Sequence, residues 1–141
     1  MIAYCLMPTH FHFILEPLQE NGIATFTNNL LNSYTRFFNL KHKRQGPLWQ
    51  GRSKKVLIET DEQLIHLTRY LHLNPVTAHL VKVPEQWEAS SYGEYLGISK
   101  WKKMCQYSHV LEIDPLRYRK FVEDQISYQR ELAWVKHLIL E

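Results

Sequence analysis

The chain has 141 residues, of which 45% are hydrophobic and 13% aromatic, enough for one domain with a substantial core. No apolar run is long enough to span a membrane and no secretory signal is visible at Met1, so we expect a cytoplasmic protein. The two cysteines form no metal or redox pattern, and the formal net charge of +3 says little by itself.

The first predicted element is a tight antiparallel hairpin. One strand is expected from Ile2 to Met7 and a second from His10 to Glu16, with Pro8-Thr9 as the break between them. Side chains alternate faces along a strand, so His10 and His12 should point the same way. The intervening apolar side chains should point into the core, namely Phe11, Phe13 and Leu15.

The next predicted element is a helix from Ile23 to about Leu40, because Ile23, Phe26, Leu30, Tyr34 and Phe37 recur at steps of three and four. A basic block without any acidic residue follows. Such a block is typical of a surface that binds polyanions, although a solvated loop is an equal alternative. The residues that we assign to DNA binding are Lys41, Lys43, Arg44, Trp49, Arg52, Lys54 and Lys55.

The segment from Leu48 to Glu59 is predicted to be a third strand, most clearly at Val56 to Ile58. A second helix should run from Asp61 to about Leu73, with Thr60 as its N-cap, and should end or kink before Pro75. A short helical piece closed by Gly97 and a mostly helical tail from Trp101 to Glu141 complete an α+β fold, with helices packed on an antiparallel sheet.

The second helix gives the histidine pair a chemical context. His-X-His is weak by itself in a chain with eight histidines, and two satisfied strand imidazoles are the alternative. Tyr70 and Asn74 are four residues apart and share a helix face. If that face lies beside the hairpin, a phenol nucleophile, an amide oxygen and two imidazoles meet at one site. This donor set leaves coordination positions open and suits Mg²⁺ or Mn²⁺ better than a structural zinc ion.

Four ordered motifs between about Ala3 and Gly97 closely resemble the REP-associated tyrosine transposases, within the HUH single-strand transposase superfamily. They are Met-Pro-Thr-His-Phe-His-Phe-Ile-Leu, Pro-Leu-Trp-Gln-Gly-Arg-Ser-Lys, Arg-Tyr-Leu-His-Leu-Asn-Pro-Val and Trp-Glu-Ala-Ser-Ser-Tyr. The resemblance implies a ferredoxin-like catalytic domain over residues 1–97, shortened at its N-terminal end by a strand and a helix. Residues 98–141 would form a helical C-terminal extension packed on it.

The resemblance also implies the chemistry. His10 and His12 match the metal-binding pair, and Asn74 falls where the superfamily has its third, amide-type ligand. Tyr70 matches the nucleophile that attacks single-stranded or hairpin DNA from repetitive palindromic elements, giving a 5′-phosphotyrosine link and a free 3′-hydroxyl. Some relatives are dimers that share sites between subunits, so a homodimer is a further expectation.

Several positions depart from the family pattern or allow a second structural role. Thr9 replaces a common Asn, and Thr77 and His79 replace a common Arg and Gly. Asn74 could instead cap a turn at Pro75, and Trp49 could cover the sheet edge. His72 is expected to be structural, whereas His66 either orients Tyr70 or is simply exposed. The alternative function is a non-catalytic DNA-binding module derived from a truncated transposase.

Overall fold

The computed structural model describes residues 1–132 and has the α+β architecture that the sequence predicts. A two-stranded antiparallel sheet is followed by helices, so the predicted class is confirmed. Its elements are β1 (Ala3–Leu6), β2 (Phe11–Ile14), α1 (Gly22–Lys41), α2 (Asp61–Thr77), α3 (Tyr92–Tyr95) and α4 (Pro115–Glu123). Residues 126–132 are also helical. Most of the predicted apolar tract from Leu132 to Leu140 lies outside the described residues.

The described chain divides into two compact units. The first contains residues 1–15 and the chain from Ile58 onward, and the second contains residues 16–57. Residues 98–132, assigned from the sequence to a separate extension, therefore belong to the same unit as the hairpin. The predicted domain boundary at residue 97 stays a prediction.

The hairpin closes through a two-residue turn, since the Met7 N–H donates to the His10 carbonyl at 2.8 Å. Ala3 pairs with Ile14, and Cys5 pairs with His12. The other edge of β1 is also occupied, because Leu6 N–H donates to the Ala89 carbonyl and Ser91 N–H donates to the Tyr4 carbonyl. A neighbouring chain segment thus covers an edge that would otherwise be open for pairing.

The predicted core face of β2 is confirmed only in part, because Phe13 packs against the core but is half-buried, whereas Ile14 on the opposite face is fully buried. The buried residue is Ile14, on the same face as His12, whereas Phe11 and Phe13 are half-buried and stack on each other at 4.8 Å. The cause is the position of α2, which packs against β1 and brings Tyr70 to the ring of His12. Strand alternation predicts which side chains share a face but not which face is covered.

The predicted strand from Leu48 to Glu59 is wrong, since the structure contains no strand in this segment. Val56 and Leu57 are 85% and 81% exposed. Branched apolar residues favour a strand only where a sheet edge offers them hydrogen bonds and packing. The outer edge of β1 is already paired with residues 89–91, which the sequence pattern could not indicate.

Helix α2 begins as predicted but ends later. Thr60 caps it by accepting the Gln63 N–H at 3.1 Å, and Leu71 is buried. The predicted end before Pro75 is wrong, because α2 continues to Thr77, whereas the alternative of a kink at that point stays a prediction. A proline removes the N–H that would bond the carbonyl of Leu71. The side-chain nitrogen of Asn74 reaches that carbonyl at 3.4 Å and supplies a replacement donor.

The predicted helical tail is only partly confirmed, because residues 101–114 form no helix. The carboxylate of Glu94 accepts the N–H groups of Met104 and Cys105, and Gln106 N–H donates to the Met1 carbonyl. These long-range bonds occupy backbone donors that a helix would need. Asp114 then caps α4, and its residues Tyr118 and Val122 are buried in the first unit.

The second unit is dominated by α1, which matches the predicted helix closely. None of its residues is buried, and the predicted apolar stripe is substantially exposed. The exposed fractions are 39% for Phe26, 39% for Leu30, 45% for Tyr34 and 57% for Phe37. Across residues 1–132, no helix combines the length and the apolar character needed to cross a bilayer.

Candidate functional site

The rings of His10 and His12 lie side by side on the hairpin, as strand alternation predicts. Their centroids are 5.0 Å apart and the ring planes meet almost at a right angle, at 87°. With metal–nitrogen bonds of about 2.1 Å, two imidazoles that share a cation have centroids roughly 4.5–6 Å apart. The spacing of the pair is therefore compatible with a shared cation.

One nitrogen of each ring is available as a ligand. His12 Nε2 is buried, and no described residue bonds it. Burial, followed by the nearby His10, lowers the pKa of His12, which favours the neutral imidazole that a metal requires. His10 Nδ1 lies 3.2 Å from Thr9 Oγ1, so its Nε2 remains for a cation. The sequence analysis did not predict this contact. Its one signal was that Thr9 stands where the resembling family commonly has Asn.

Tyr70 lies beside this pair because α2 packs against β1. Its ring centroid is 6.3 Å from that of His12, and the two rings meet edge to face at 81°. The side chain is 46% exposed, so its hydroxyl is accessible from solvent. The structure thus places an exposed phenol next to a half-buried imidazole whose Nε2 has no hydrogen-bond partner among the described residues. A phenol and a metal-binding imidazole are the two groups required for nucleophilic attack near a cation.

Asn74 is one turn beyond Tyr70 on α2. Its side-chain nitrogen donates to the carbonyls of Tyr70 at 3.1 Å and Leu71 at 3.4 Å, so its amide oxygen is the atom left for a cation. Within residues 1–132, no cluster of three histidine, cysteine or acidic side chains could hold a metal ion. A cation at the histidine pair would consequently depend on a further ligand of another type, such as an amide oxygen.

The two histidines of α2, His66 and His72, make their contacts outside the histidine–tyrosine site. His66 is exposed, its Nδ1 lies 2.8 Å from the Arg69 guanidinium and its ring lies near Phe121, so neither of these contacts involves Tyr70. His72 is completely buried, and burial lowers its pKa to about 3. The structural role expected for His72 is therefore the one that the structure shows.

His72 lies at the centre of a buried hydrogen-bond chain. Tyr118 OH donates to Thr68 Oγ1 at 3.0 Å, and Thr68 uses its own proton on the Ile65 carbonyl. His72 Nδ1 lies 2.7 Å from Tyr118 OH, and His72 Nε2 lies 2.7 Å from Ser91 Oγ, so both ring nitrogens have a hydrogen-bond partner. The chain joins α2, α4 and the segment that covers β1.

The predicted DNA-binding residues lie in the second unit, and several of them have intramolecular partners. Trp49 is half-buried against α1, where its indole N–H donates to Thr35 Oγ1 at 3.0 Å. It therefore covers part of α1. Arg44 donates to Asn39 Oδ1 at 2.6 Å and lies over Phe38. The remaining basic side chains of the set are exposed, namely those of Lys41, Lys43, Arg52, Lys54 and Lys55.

A protein of Haemophilus influenzae is 29% identical to this chain over 101 residues and is named "Putative REP-associated tyrosine transposase". This relative supports the assignment of the chain to the REP-associated tyrosine transposases. The match covers 64% of this chain and 57% of the relative, so the chain spans little more than half the length of that protein. No protein-family model and no solved structure matches the chain.

Proposed function

We propose that this chain is a transposase-type, metal-dependent DNA endonuclease and strand transferase that uses Tyr70 as its nucleophile. The observation that carries the proposal is the position of the Tyr70 ring, 6.3 Å from the half-buried ring of His12 and on the side of the hairpin that holds the histidine pair. The name of the Haemophilus relative supports the same reaction class.

In the proposed reaction, the Tyr70 oxygen attacks a backbone phosphorus of single-stranded or hairpin DNA. A phosphorus–oxygen bond to the phenol forms and the bond to the 3′-oxygen breaks, while the phenol loses a proton and the 3′-oxygen gains one. The product is a 5′-phosphotyrosine with a free 3′-hydroxyl. Attack by a 3′-hydroxyl on that link rejoins the strand and releases the tyrosine.

The cofactor is proposed to be Mg²⁺ or Mn²⁺, held by His10, His12 and the amide oxygen of Asn74. When bound, such a cation polarises the phosphate and stabilises negative charge in the transition state. The orphaned Nε2 of His12 supports this choice, since a buried imidazole nitrogen without a partner is otherwise unfavourable. The protein contributes the orientation of these three side chains through the hairpin and α2.

The substrate is proposed to bind in part through the exposed basic residues of the second unit, because cations that release counterions from DNA supply much of its binding energy.

We also propose that two copies associate in the cytoplasm, since cutting and joining two ends takes two tyrosines or sequential use of one. The exposed apolar stripe of α1 is the candidate interface, and light scattering of the variant Phe37→Glu against the native chain would test it.

The test of the proposed function is covalent trapping. Labelled hairpin DNA is incubated with the protein and Mn²⁺, and the adduct is resolved by denaturing electrophoresis. We expect adduct with the native chain, none with Tyr70→Phe and none with chelator. Tyr128→Phe is the matched control, since Tyr128 is similarly exposed, at 55%. Adduct that persists in Tyr70→Phe would overturn the assignment.

Binding without any adduct would favour the second candidate, a DNA-binding module without catalysis. That outcome requires the native chain to bind hairpin DNA with a steep salt dependence and to be indifferent to Mn²⁺. Calorimetry separates the two cases further. The catalytic proposal expects His12→Gln to weaken Mn²⁺ binding by more than about tenfold, while His66→Gln, which removes an exposed histidine of α2, leaves Mn²⁺ affinity unchanged.

A further inference from the structure

A second group of residues suited to DNA lies outside the histidine–tyrosine site, in the loop of residues 98–104, called here the Trp101 loop. It carries one tryptophan between three lysines, Lys100, Lys102 and Lys103. All four side chains are exposed, and 64% of the Trp101 surface is open to solvent. An exposed aromatic ring between basic residues is the composition that single-strand binding surfaces use, with rings for bases and cations for phosphates.

The Trp101 loop borders an open cleft of about 300 Å³. Trp87 and Trp101 both line it, together with Gly93 and Ile98. A volume of roughly this size is the lower end of the range for small-molecule pockets, which suits one planar ring better than a large ligand. The cleft therefore offers aromatic surface on a scale appropriate to a single nucleobase.

The loop is held in place before any ligand arrives. The carbonyl of Gly93 accepts the N–H groups of Ile98 at 2.9 Å and Ser99 at 3.1 Å. Ser99 Oγ in turn accepts the Trp101 N–H at 3.2 Å, and the Glu94 carboxylate accepts the Met104 N–H at 3.1 Å. Binding to a surface that is already ordered costs less conformational entropy, so the exposed indole is a pre-organised platform.

Both acidic residues that line the cleft are paired with basic side chains. Glu88 is paired with Lys100 at 2.7 Å, and Glu85 is paired with Arg119 at 2.6 Å. Those pairs offset both carboxylates locally. Lys102 and Lys103 follow Trp101 in the sequence and add exposed positive charge to the Trp101 loop, although Lys103 also lies over the Tyr107 ring at 4.5 Å.

The cleft is attached to the hairpin that holds the histidine pair. The Trp87 indole N–H donates to the Leu6 carbonyl at 2.9 Å, at the end of β1. Residues 89–91 pair with the outer edge of β1, and β2 with His12 pairs with its other edge. Adjacent strands lie about 4.8 Å apart, so the covering segment runs roughly 10 Å from β2.

We propose that the cleft between Trp87 and Trp101 stacks an unpaired base of single-stranded DNA, while Lys102 and Lys103 bind its flanking phosphates. The proposal rests on the proposed function for the identity of the ligand. It adds a second binding region in the first unit, separate from the basic residues of the second unit and from the nucleophile.

The test measures binding with Tyr70→Phe present throughout, so that covalent chemistry does not contribute. Fluorescence anisotropy compares a labelled twelve-residue thymidine oligonucleotide with an abasic oligonucleotide of equal length and charge. We expect the thymidine strand to bind about 5- to 150-fold more tightly. Trp101→Leu should remove most of that difference, whereas Trp101→Phe retains much of it. Tyr128→Leu, at another exposed aromatic residue, should leave it unchanged.

The lysines are tested by salt dependence. Lys102→Gln should reduce the slope of log affinity against log salt by about 0.7 for either oligonucleotide. Lys120→Gln, on the exposed surface of α4, is the control and should leave the slope as it is. The proposal would be overturned if the Tyr70→Phe chain that retains Trp101 bound both oligonucleotides equally well. It would also be overturned if the added Trp101→Leu left the preference for the thymidine strand unchanged. Neither result would alter the adduct assay at Tyr70, so the two proposals fail separately.

Discussion

The ring of His12 lies 6.3 Å from the ring of Tyr70, and the two meet edge to face between β2 and α2. No local pattern in the sequence encodes this contact, because the residues are 58 positions apart by number (70 − 12). It exists because the apolar stripe of α2 packs on the hairpin, with Leu71 and Ile14 buried in the same core.

The first prediction concerns the titration of His12. Burial is the larger cause of its lowered pKa and the charge of His10 is the smaller one. In metal-free protein, NMR titration should therefore give a His12 midpoint below 6.5. His10→Ala should raise that midpoint part of the way, because burial remains. A midpoint at or above 6.5 in the native chain would contradict the buried environment of this ring.

The second prediction concerns the repair of α2 at Pro75. Asn74→Ala removes the donor that reaches the Leu71 carbonyl, so it should lower the free energy of unfolding by about 0.5–1.5 kcal/mol. In a Pro75→Ala background the new backbone N–H can serve that carbonyl, so the same substitution should cost less. Urea unfolding of the four chains measures the coupling, and strictly additive effects would refute it.

The third prediction concerns acid stability. The pKa of His72 is about 3 in the folded chain, against about 6.5 when unfolded. Between these values only the unfolded chain binds the proton, so stability falls as pH drops through this window, by up to about 1.4 kcal/mol per unit, and nothing is lost above it. His72→Gln should flatten the pH dependence of urea unfolding between pH 6.5 and 4.

Its matched control is His66→Gln, which removes an exposed histidine of the same helix and should keep the native slope. If His72→Gln and His66→Gln show equal slopes, the neutral buried imidazole is not the origin of the acid sensitivity.

The fourth prediction concerns the end of α2. His79 stands at a position where the resembling family commonly has glycine, and its φ is 57°, in the left-handed region. Side chains with a Cβ are disfavoured there. His79→Gly should raise the free energy of unfolding by about 0.5–1 kcal/mol. The control is Ala78→Gly, where φ is −79°, and it should lower the free energy of unfolding. A His79→Gly variant that is less stable than the native chain would contradict the explanation.

Local rules predicted the elements that depend on neighbours in sequence. The Pro8-Thr9 turn, the cap at Thr60 and the long stripe of α1 follow from propensity and periodicity, and the structure contains all three. The shared face of His10 and His12 also follows from strand alternation. The side of the sheet that α2 covers does not, since it depends on tertiary packing.

The wrong secondary-structure predictions share a cause. In each case, hydrogen bonds with residues distant in sequence determine the backbone conformation, and local propensity does not. The outer edge of β1 pairs with residues 89–91, far along the chain, and not with the strand predicted at residues 48–59. Residues 101–114 give backbone donors to Glu94 and Met1 in place of a helix. The lysines and tryptophan of the Trp101 loop are visible in the sequence, but their exposure beside a cleft depends on that same irregular backbone, where a helix was predicted.

The sequence Asn74-Pro75 also affects the chemical stability of the Asn74 side chain. Spontaneous deamidation of asparagine ordinarily begins when the backbone nitrogen of the next residue attacks the side-chain carbonyl and then loses its proton to form a cyclic imide. Proline has no such proton. Pro75, which removes a backbone donor from α2, therefore also protects Asn74 from deamidation. Asn74 is the residue whose side chain replaces that donor.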